Sequence, residues 1–335
     1  MIIKSLNYEI LIKENLFSYI NEELKKLKPK GTYFLITDEY VFSLYKENIL
    51  NNFNVLESNI FTIKQGEASK NEQTYFELIN KLIKSNIKRD DLIIALGGGV
   101  VGDLVGFIAA TLYRGIDYIQ IPTTLLAQVD SSVGSKVAIN YNNNKNILGS
   151  FYNPLKVFID PLFLETLSYE EYINGVAEMI KISLLFDGDL FAHLKNNKPI
   201  TGNEIYQAIK LKNNIVLKDP YDKDLRMFLN FGHTFGHQIE LKNNINHGKA
   251  ISHGILIALE IGINLNKTKK AIYDTVKEVL TTYKLVNNLE IKKDAYLDII
   301  WHDKKHLQDG LKFIIIKDIE KPEIITLNKG DIFWK

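Results

Sequence analysis

The sequence predicts two domains of different class: an α/β domain over residues 1–159 and an all-α domain over residues 160–335, with a cleft between them. Three observations carry this. Up to Thr124, short apolar runs alternate with amphipathic stretches, the pattern of a mostly parallel sheet covered on both faces. One of those runs ends in a glycine-rich turn, Gly97-Gly98-Gly99-Val100-Val101-Gly102, that opens a helix. Beyond Asp160-Pro161 the alternation stops and helical periodicity dominates.

Each element follows from local pattern. Residues 2–3 and 8–12 are short strands, and Leu16, Ile20, Leu24 and Leu27 mark the apolar stripe of a helix that Pro29-Lys30-Gly31 breaks. Residues 33–37 form a buried strand ending on Asp38, followed by a helix through Val41, Leu44 and Tyr45. A strand at 59–63 leads into Gln65-Gly66-Glu67-Ala68-Ser69-Lys70, and a helix over 72–85 places Phe76, Ile79 and Ile83 on one stripe. Residues 92–96 are a strand, 100–113 a helix, and 118–121 a strand closed by Pro122-Thr123-Thr124. The stretch 136–159 is extended and turn-rich, broken at Asn142-Asn143-Asn144 and Asn153-Pro154. Helices are predicted over 169–185, 188–195, 205–217, 233–241, 251–264, 269–280 and 293–300.

Composition narrows the function classes. A chain of 335 residues has room for two cores, and 46% hydrophobic with 24% charged residues is the profile of a soluble globular protein. Lys plus Arg number 41 against 40 Asp plus Glu, a balance that argues against a nucleic-acid partner while leaving room for a small anionic substrate. There is no cysteine, so disulfides, thiolate metal sites and cysteine nucleophiles are excluded, and any zinc must rest on histidine and carboxylate. Residues 92–113 are long and apolar enough to suggest a membrane span, but the glycines and Asp103 interrupt them. With no signal-peptide pattern at the N-terminus, a cytoplasmic protein without membrane contact is expected.

The chemistry-bearing stretches come next. The glycine turn satisfies G-x-G-x-x-G in a strand-turn-helix setting, so backbone amides at Gly98, Gly99 and Val100 are placed to approach a pyrophosphate in a Rossmann-like domain. A tight structural turn would account for the same glycines. Asp38 suits a ribose hydroxyl, or simply caps the helix after it. The run from Gln120 to Lys136 is dense in polar groups, and Asp130, Lys136, Lys145 and Asn146 are candidates to face one pocket. Glu178 and Lys181 stand three apart on an apolar helix: either a surface ion pair or, if buried, groups needing a strong partner such as a cation. His233 and His237 stand four apart on one helical face, and a polar turn brings the chain back to His247. Glu178 with two of these histidines would make a three-ligand site with an open position, the arrangement of a catalytic zinc.

Taken together these blocks closely resemble the 3-dehydroquinate synthase family of sugar-phosphate cyclases. The matching segments are Gly66-Glu67-Ala68-Ser69-Lys70, Gly97 to Asp103, Pro122 to Gly134, Lys145-Asn146, Ala177 to Lys181, Leu229 to His237, His247-Gly248 and Asp303-Lys304-Lys305, spread over nearly the whole chain. The resemblance implies an NAD-binding domain, a helical metal-binding domain and a homodimer. It implies conversion of 3-deoxy-D-arabino-heptulosonate 7-phosphate to 3-dehydroquinate, by transient oxidation at C5, loss of phosphate, re-reduction and intramolecular aldol closure. By the same resemblance Glu178, His233 and His247 hold zinc or cobalt. Asp38, Glu67, Lys70, Gly99, Asp103, Thr123, Thr124, Lys145 and Thr166 hold NAD. His237, Asp130, Lys136, Asn146, Lys181, Lys212, Arg226, Asn230 and one or both of Lys304 and Lys305 serve the substrate, while Arg114 reaches the neighbouring subunit's phosphate site. Lys212 and Arg226 suit a carboxylate, which favours this reaction over valiolone- or inosose-forming cyclases and over a metal-dependent polyol dehydrogenase. Three departures stand out: Ser135 where a second glycine is usual, Asp219-Pro220 for Asp-Glu, and Lys249 where an acidic residue is common.

Overall fold

The computed structural model describes residues 1–142, 144–287 and 310–328. They form two compact units: residues 1–167 with 201–221, and residues 168–200 with 222 onward.

The first unit is built on a seven-stranded sheet. Its strands are β1 (Ile2–Lys4), β2 (Glu9–Ile12), β3 (Tyr33–Asp38), β4 (Ile60–Ile63), β5 (Leu92–Gly97), β6 (Asp117–Pro122) and β9 (Lys156–Ile159). Between the last two lies a separate antiparallel hairpin, β7 (Lys136–Tyr141) with β8 (Asn144–Phe151). The sheet order is β1-β2-β9-β6-β5-β3-β4, and every pairing except β1 with β2 is parallel. All six residues of β3 and of β5 are buried, as expected where both faces are covered. Helices α1 (Ile20–Leu27) and α2 (Glu39–Asn52) cover one face, packing Ile20, Leu24 and Ile49 against Leu35, Ile94 and Leu96. On the other, α3 (Glu72–Lys84) and α4 (Gly99–Thr111) bring Leu78, Leu82, Leu104 and Ile108 against Phe34, Ile36 and Ile93.

Parallel pairing fixes where the functional candidates fall. Thr37 is opposite Leu96, and Gly97 is opposite Pro122, so Asp38, the glycine turn and Thr123-Thr124 all emerge at the carboxyl ends of three neighbouring strands. That edge is where open α/β sheets bind ligands.

The second unit contains α5 (Tyr169–Phe186), α6 (Gly188–Lys195), α8 (His233–Asn243), α9 (His247–Asn264) and α10 (Lys270–Thr282). It is not all-α. Strands β10 (Leu311–Ile316) and β11 (Pro322–Leu327) form an antiparallel hairpin that buries Phe313, Ile314, Ile315 and Ile316. Among the described residues, no helix is long and apolar enough to cross a membrane.

Two further expectations change. The division is not one cut at 159/160, because α7 (Gly202–Lys218) clusters with the first unit. Its Lys212 donates to Asp130 and its Asn213 to the carbonyl of Lys4, contacts between residues too distant in sequence for local pattern to reveal. Helix α3 also presents a different stripe. Leu78 and Leu82 are buried with Tyr75 and Ile79 beside them, whereas Phe76 and Ile83 are 61% and 53% exposed. Apolar residues lie on both sides of this helix, and spacing alone could not decide which side faces inward. The expected helix at 293–300 and the pair Lys304 and Lys305 lie outside the described residues.

Candidate active site

The second unit brings Glu178, His233 and His247 together, with one ligand atom from each lying within 4.8 Å of the others. Local structure explains how. Glu178 sits in the middle of α5 and is only 3% exposed. His247 is the first residue of α9, whose N-cap is Asn246, and the next residue, Gly248, is pinned to α5 because its amide donates to Asn174 Oδ1 at 2.9 Å. A Cβ at Gly248 would come within 2.7 Å of the Asn174 backbone, so only glycine allows this approach. Asn174 lies one helical turn before Glu178, which puts His247 over the carboxylate. His233 opens α8 immediately after Gly232, a left-handed turn residue with φ 79°.

The distances match a metal site. His247 Nε2 is 3.4 Å and His233 Nε2 is 3.6 Å from Glu178 Oε1. Two ligands of a tetrahedral zinc, each ~2.0–2.1 Å from the ion, stand about 3.3–3.4 Å apart. Neither oxygen of Glu178 completes a well-formed hydrogen bond among the described residues, although the carboxylate is in ion-pair contact with Lys181. Beside that ion pair, oxygens without a well-formed hydrogen bond leave the buried carboxylate able to take a metal ion as a further partner.

Both rings point the correct nitrogen inward. His233 Nδ1 is 3.1 Å from the carbonyl oxygen of Phe231, and His247 Nδ1 is 3.2 Å from Glu240 Oε2. Each partner only accepts, so each Nδ1 carries a hydrogen, and each Nε2 is left facing Glu178. Burial would raise the Glu178 carboxyl, but Lys181, His247 and His233 hold it well below the usual carboxylate range. Burial, aided by Lys181, pushes His233 down to about 3 and keeps it neutral. Burial pulls His247 the same way, yet Glu178 and Glu240 lift it to about 9. His237 is exposed on the same face of α8, its ring centroid 5.1 Å from that of His233.

The first unit supplies a second constellation. Helix α4 starts at Gly99, and its N-cap residue, Gly98, has no side chain to cap the first turn, where backbone amides suit an anion. A Cβ on Gly98 would press on Thr124 at 3.1 Å and one on Gly99 on Ser131 at 3.0 Å, so the turn is closely walled. One helical turn along, Asp103 receives Lys70 Nζ at 2.5 Å, and the same ammonium donates to Asn146 Oδ1. Burial raises the Asp103 carboxyl against the pull of Lys70.

Comparison with known proteins agrees with this geometry. The family description 3-dehydroquinate synthase N-terminal matches residues 60–174, and 3-dehydroquinate synthase C-terminal matches residues 175–306. The 3-dehydroquinate synthase of Clostridium tetani is 40% identical over 338 residues, covering 97% of this chain and 90% of that protein. The chain belongs to the 3-dehydroquinate synthase family. Solved structures share the fold. A 2-epi-5-epi-valiolone synthase from Streptomyces hygroscopicus, with NAD+ and Zn2+ bound, gives a TM-score of 0.87 at 23% identity, covering 98% of this chain and 95% of that one. A 2-deoxy-scyllo-inosose synthase complexed with carbaglucose-6-phosphate, NAD+ and Co2+ gives 0.84 at 24% identity, covering 99% and 98%.

The remaining family positions fall as follows. Lys212 Nζ lies 2.6 Å from both Oδ1 and the carbonyl oxygen of Asp130, which sits in a turn of π-helix at Ala127–Ser131. Lys181, Lys212 and Arg226 are buried, while Asn230, Lys136, Lys145, Glu67 and Arg114 are exposed. Glu67 accepts from Asn140, whose side chain also receives the Asn146 amide. Thr123 donates its amide to Gly97, and Thr166 bonds Tyr45 at 2.6 Å. Asp38 caps α2, accepting the Val41 amide at 2.9 Å, the simpler of its two expected roles. Lys249 pairs with Glu170 at 2.9 Å, so the basic residue found here has its own counter-charge. Asp219 ends α7 and Pro220 follows it, a common way to stop a helix. Glu240 went unassigned from sequence, although it lies seven residues after His233 on one helical face.

Proposed function

We propose that this chain makes 3-dehydroquinate from 3-deoxy-D-arabino-heptulosonate 7-phosphate with release of phosphate, the lyase reaction of its family. The observation that carries the proposal is the buried Glu178–His233–His247 cluster, in a chain 40% identical to a named 3-dehydroquinate synthase over nearly its whole length. NAD and a zinc or cobalt ion, named in the two cyclase structures of the same fold, fit the uncapped α4 turn and the histidine–carboxylate cluster. When bound, NAD would supply the transient oxidation and re-reduction at C5, and the metal the charge stabilisation at the reacting hydroxyls.

The chain's own side chains would do the rest. Asp130 and Lys181 hydrogen-bond the reacting hydroxyls, and His237 relays protons close to Glu178 and His233. Lys212 and Arg226 receive the carboxylate. Lys136, Asn146, Asn230 and the Lys304/Lys305 pair, with Arg114 from a second subunit, grip the phosphate. Glu67, Lys70, Asp103, Lys145, Thr123, Thr124 and Thr166 line the cofactor. A cytoplasmic homodimer is the setting the family resemblance supplies.

The deciding assay supplies the heptulosonate phosphate with NAD and zinc, and follows phosphate release and the carbocyclic product. Stoichiometric phosphate and product without accumulation of NADH is the expected result. Net NADH would point to a polyol dehydrogenase, and turnover of a sugar phosphate lacking the carboxylate would point to an inosose- or valiolone-forming cyclase.

A further inference from the structure

We propose that Glu240 is the positioning residue for His247: its carboxylate accepts the Nδ1 hydrogen and thereby aims the Nε2 lone pair at the cation shared with Glu178 and His233. The inference rests on the metal-dependent reading of this cluster. The two histidines solve the same orientation problem in different ways. His233 is steadied by a backbone carbonyl two residues upstream, at Phe231, which no substitution of a side chain removes. His247 follows a turn and begins a new helix, and its Nδ1 bond runs to a side chain on another helix, Glu240 Oε2 at 3.2 Å.

Glu240 is well built for the task. It stands three residues beyond His237 and seven beyond His233 on α8, so one helical face presents all three toward His247. Its side chain is 15% exposed, which shields the bond from competing water. A carboxylate also makes a stronger, charge-assisted acceptor than a carbonyl, and increases the basicity of the opposite nitrogen. Glu240 approaches the ring on the Nδ1 side, whereas Glu178 lies on the Nε2 side at 3.4 Å, so the two carboxylates have separate roles.

The test measures dissociation constants for zinc and cobalt by chelator competition in wild type, Glu240→Gln, Glu240→Ala, Glu240→Asp and Glu178→Gln, with thermal unfolding to confirm that each is folded. Loss of a carboxylate that orients a ligating histidine weakens metal binding by about 10–100-fold. Glu240→Gln and Glu240→Ala should fall in that range, with Glu240→Asp recovering part of the loss. The cobalt absorption spectrum should keep its band positions and intensity, because the ligands are unchanged. Metal affinities within twofold of wild type in both Glu240→Gln and Glu240→Ala would overturn the proposal. So would a cobalt spectrum showing a lost ligand, which would make Glu240 part of the coordination sphere. Glu178→Gln separates the two levels: if it binds metal like wild type, the cluster itself is misassigned; if it loses metal while the Glu240 variants do not, only the positioning role fails.

Discussion

The ammonium of Lys212 stands 2.6 Å from both the carboxylate and the backbone carbonyl oxygen of Asp130. It ties α7 to the turn after β6, and it joins two residues proposed to meet the substrate. Replacing Lys212 by Met should therefore act twice. The unfolding free energy should fall by about 1 kcal/mol, less than the ~1.5–3 kcal/mol of a fully buried charge-assisted bond because the Asp130 side chain is 32% exposed. KM for the heptulosonate phosphate should rise by about tenfold or more while NAD affinity holds. Steady-state kinetics with isothermal titration of NAD measures both; an unchanged KM would leave Lys212 a purely structural residue.

Removing the metal should stop the reaction. A strong chelator is expected to abolish turnover, with zinc or cobalt restoring it, and Glu178→Gln should lower bound metal and activity together. Glu178→Gln also leaves Lys181 buried without its counter-charge, at a cost of about 3–5 kcal/mol in folding stability. Elemental analysis beside activity and denaturant unfolding checks all three. A fully active preparation without metal would refute the assignment.

Arg114 lies in a strained segment. Tyr113 and Arg114 have φ of 54° and 62°, followed by Gly115 at 125°, and the Tyr113 hydroxyl holds the turn by donating to the carbonyl of Ile87. Consecutive left-handed residues other than glycine cost about 1–2 kcal/mol each and persist where function selects them. If Arg114 completes a neighbouring subunit's site, mixing inactive Arg114→Ala with inactive Lys181→Ala chains and letting subunits exchange should restore activity. Were Arg114 to serve its own chain, every site in the mixture would stay defective and no activity would return.

Ser135 stands where the family resemblance leads one to expect glycine. Its φ is 63°, and its hydroxyl bonds the side chain of Asn153. Ser135→Ala should destabilise by about 1 kcal/mol, since the strain remains and the bond is lost. Ser135→Gly loses the same bond but relieves the strain, and should be more stable than the alanine variant by about 0.5–1 kcal/mol. Denaturant midpoints rank the three proteins, and an alanine variant equal to glycine would show that the backbone carries no strain there.

Much of this architecture was legible because local chemistry sets it. Buried parallel strands such as residues 92–97 are near-continuous apolar runs, and α5 follows the helical periodicity read over residues 169–185. The histidine cluster could be read because His233 and His237 share a helical face and the family blocks tie Glu178 to them. What escaped depends on long-range contact. The inward face of α3 is chosen by the sheet it packs on, since Phe76 and Leu78 are equally apolar. The attachment of α7 to the first unit rests on bonds to Asp130 and Lys4. The β10–β11 hairpin was within reach, for Phe313 to Ile316 is an uninterrupted apolar run flanked by lysines. Glu240 too was within reach of the spacing argument that paired His233 with His237.

The assignment of residues 201–221 to the first unit sets an order on biosynthesis. A ribosome finishes residue 167 and must then make a helical stretch of the other unit before it delivers α7. At about 5–20 residues per second that interval lasts on the order of 3–10 s. Throughout it the nascent first unit lacks Lys212 and the α7 residues Ile205, Ile209 and Val216 that are buried in the finished protein. Newly made chains therefore pass through a window in which quality-control proteases and chaperones meet an incomplete α/β unit. A chain stopped before residue 202 never leaves that window.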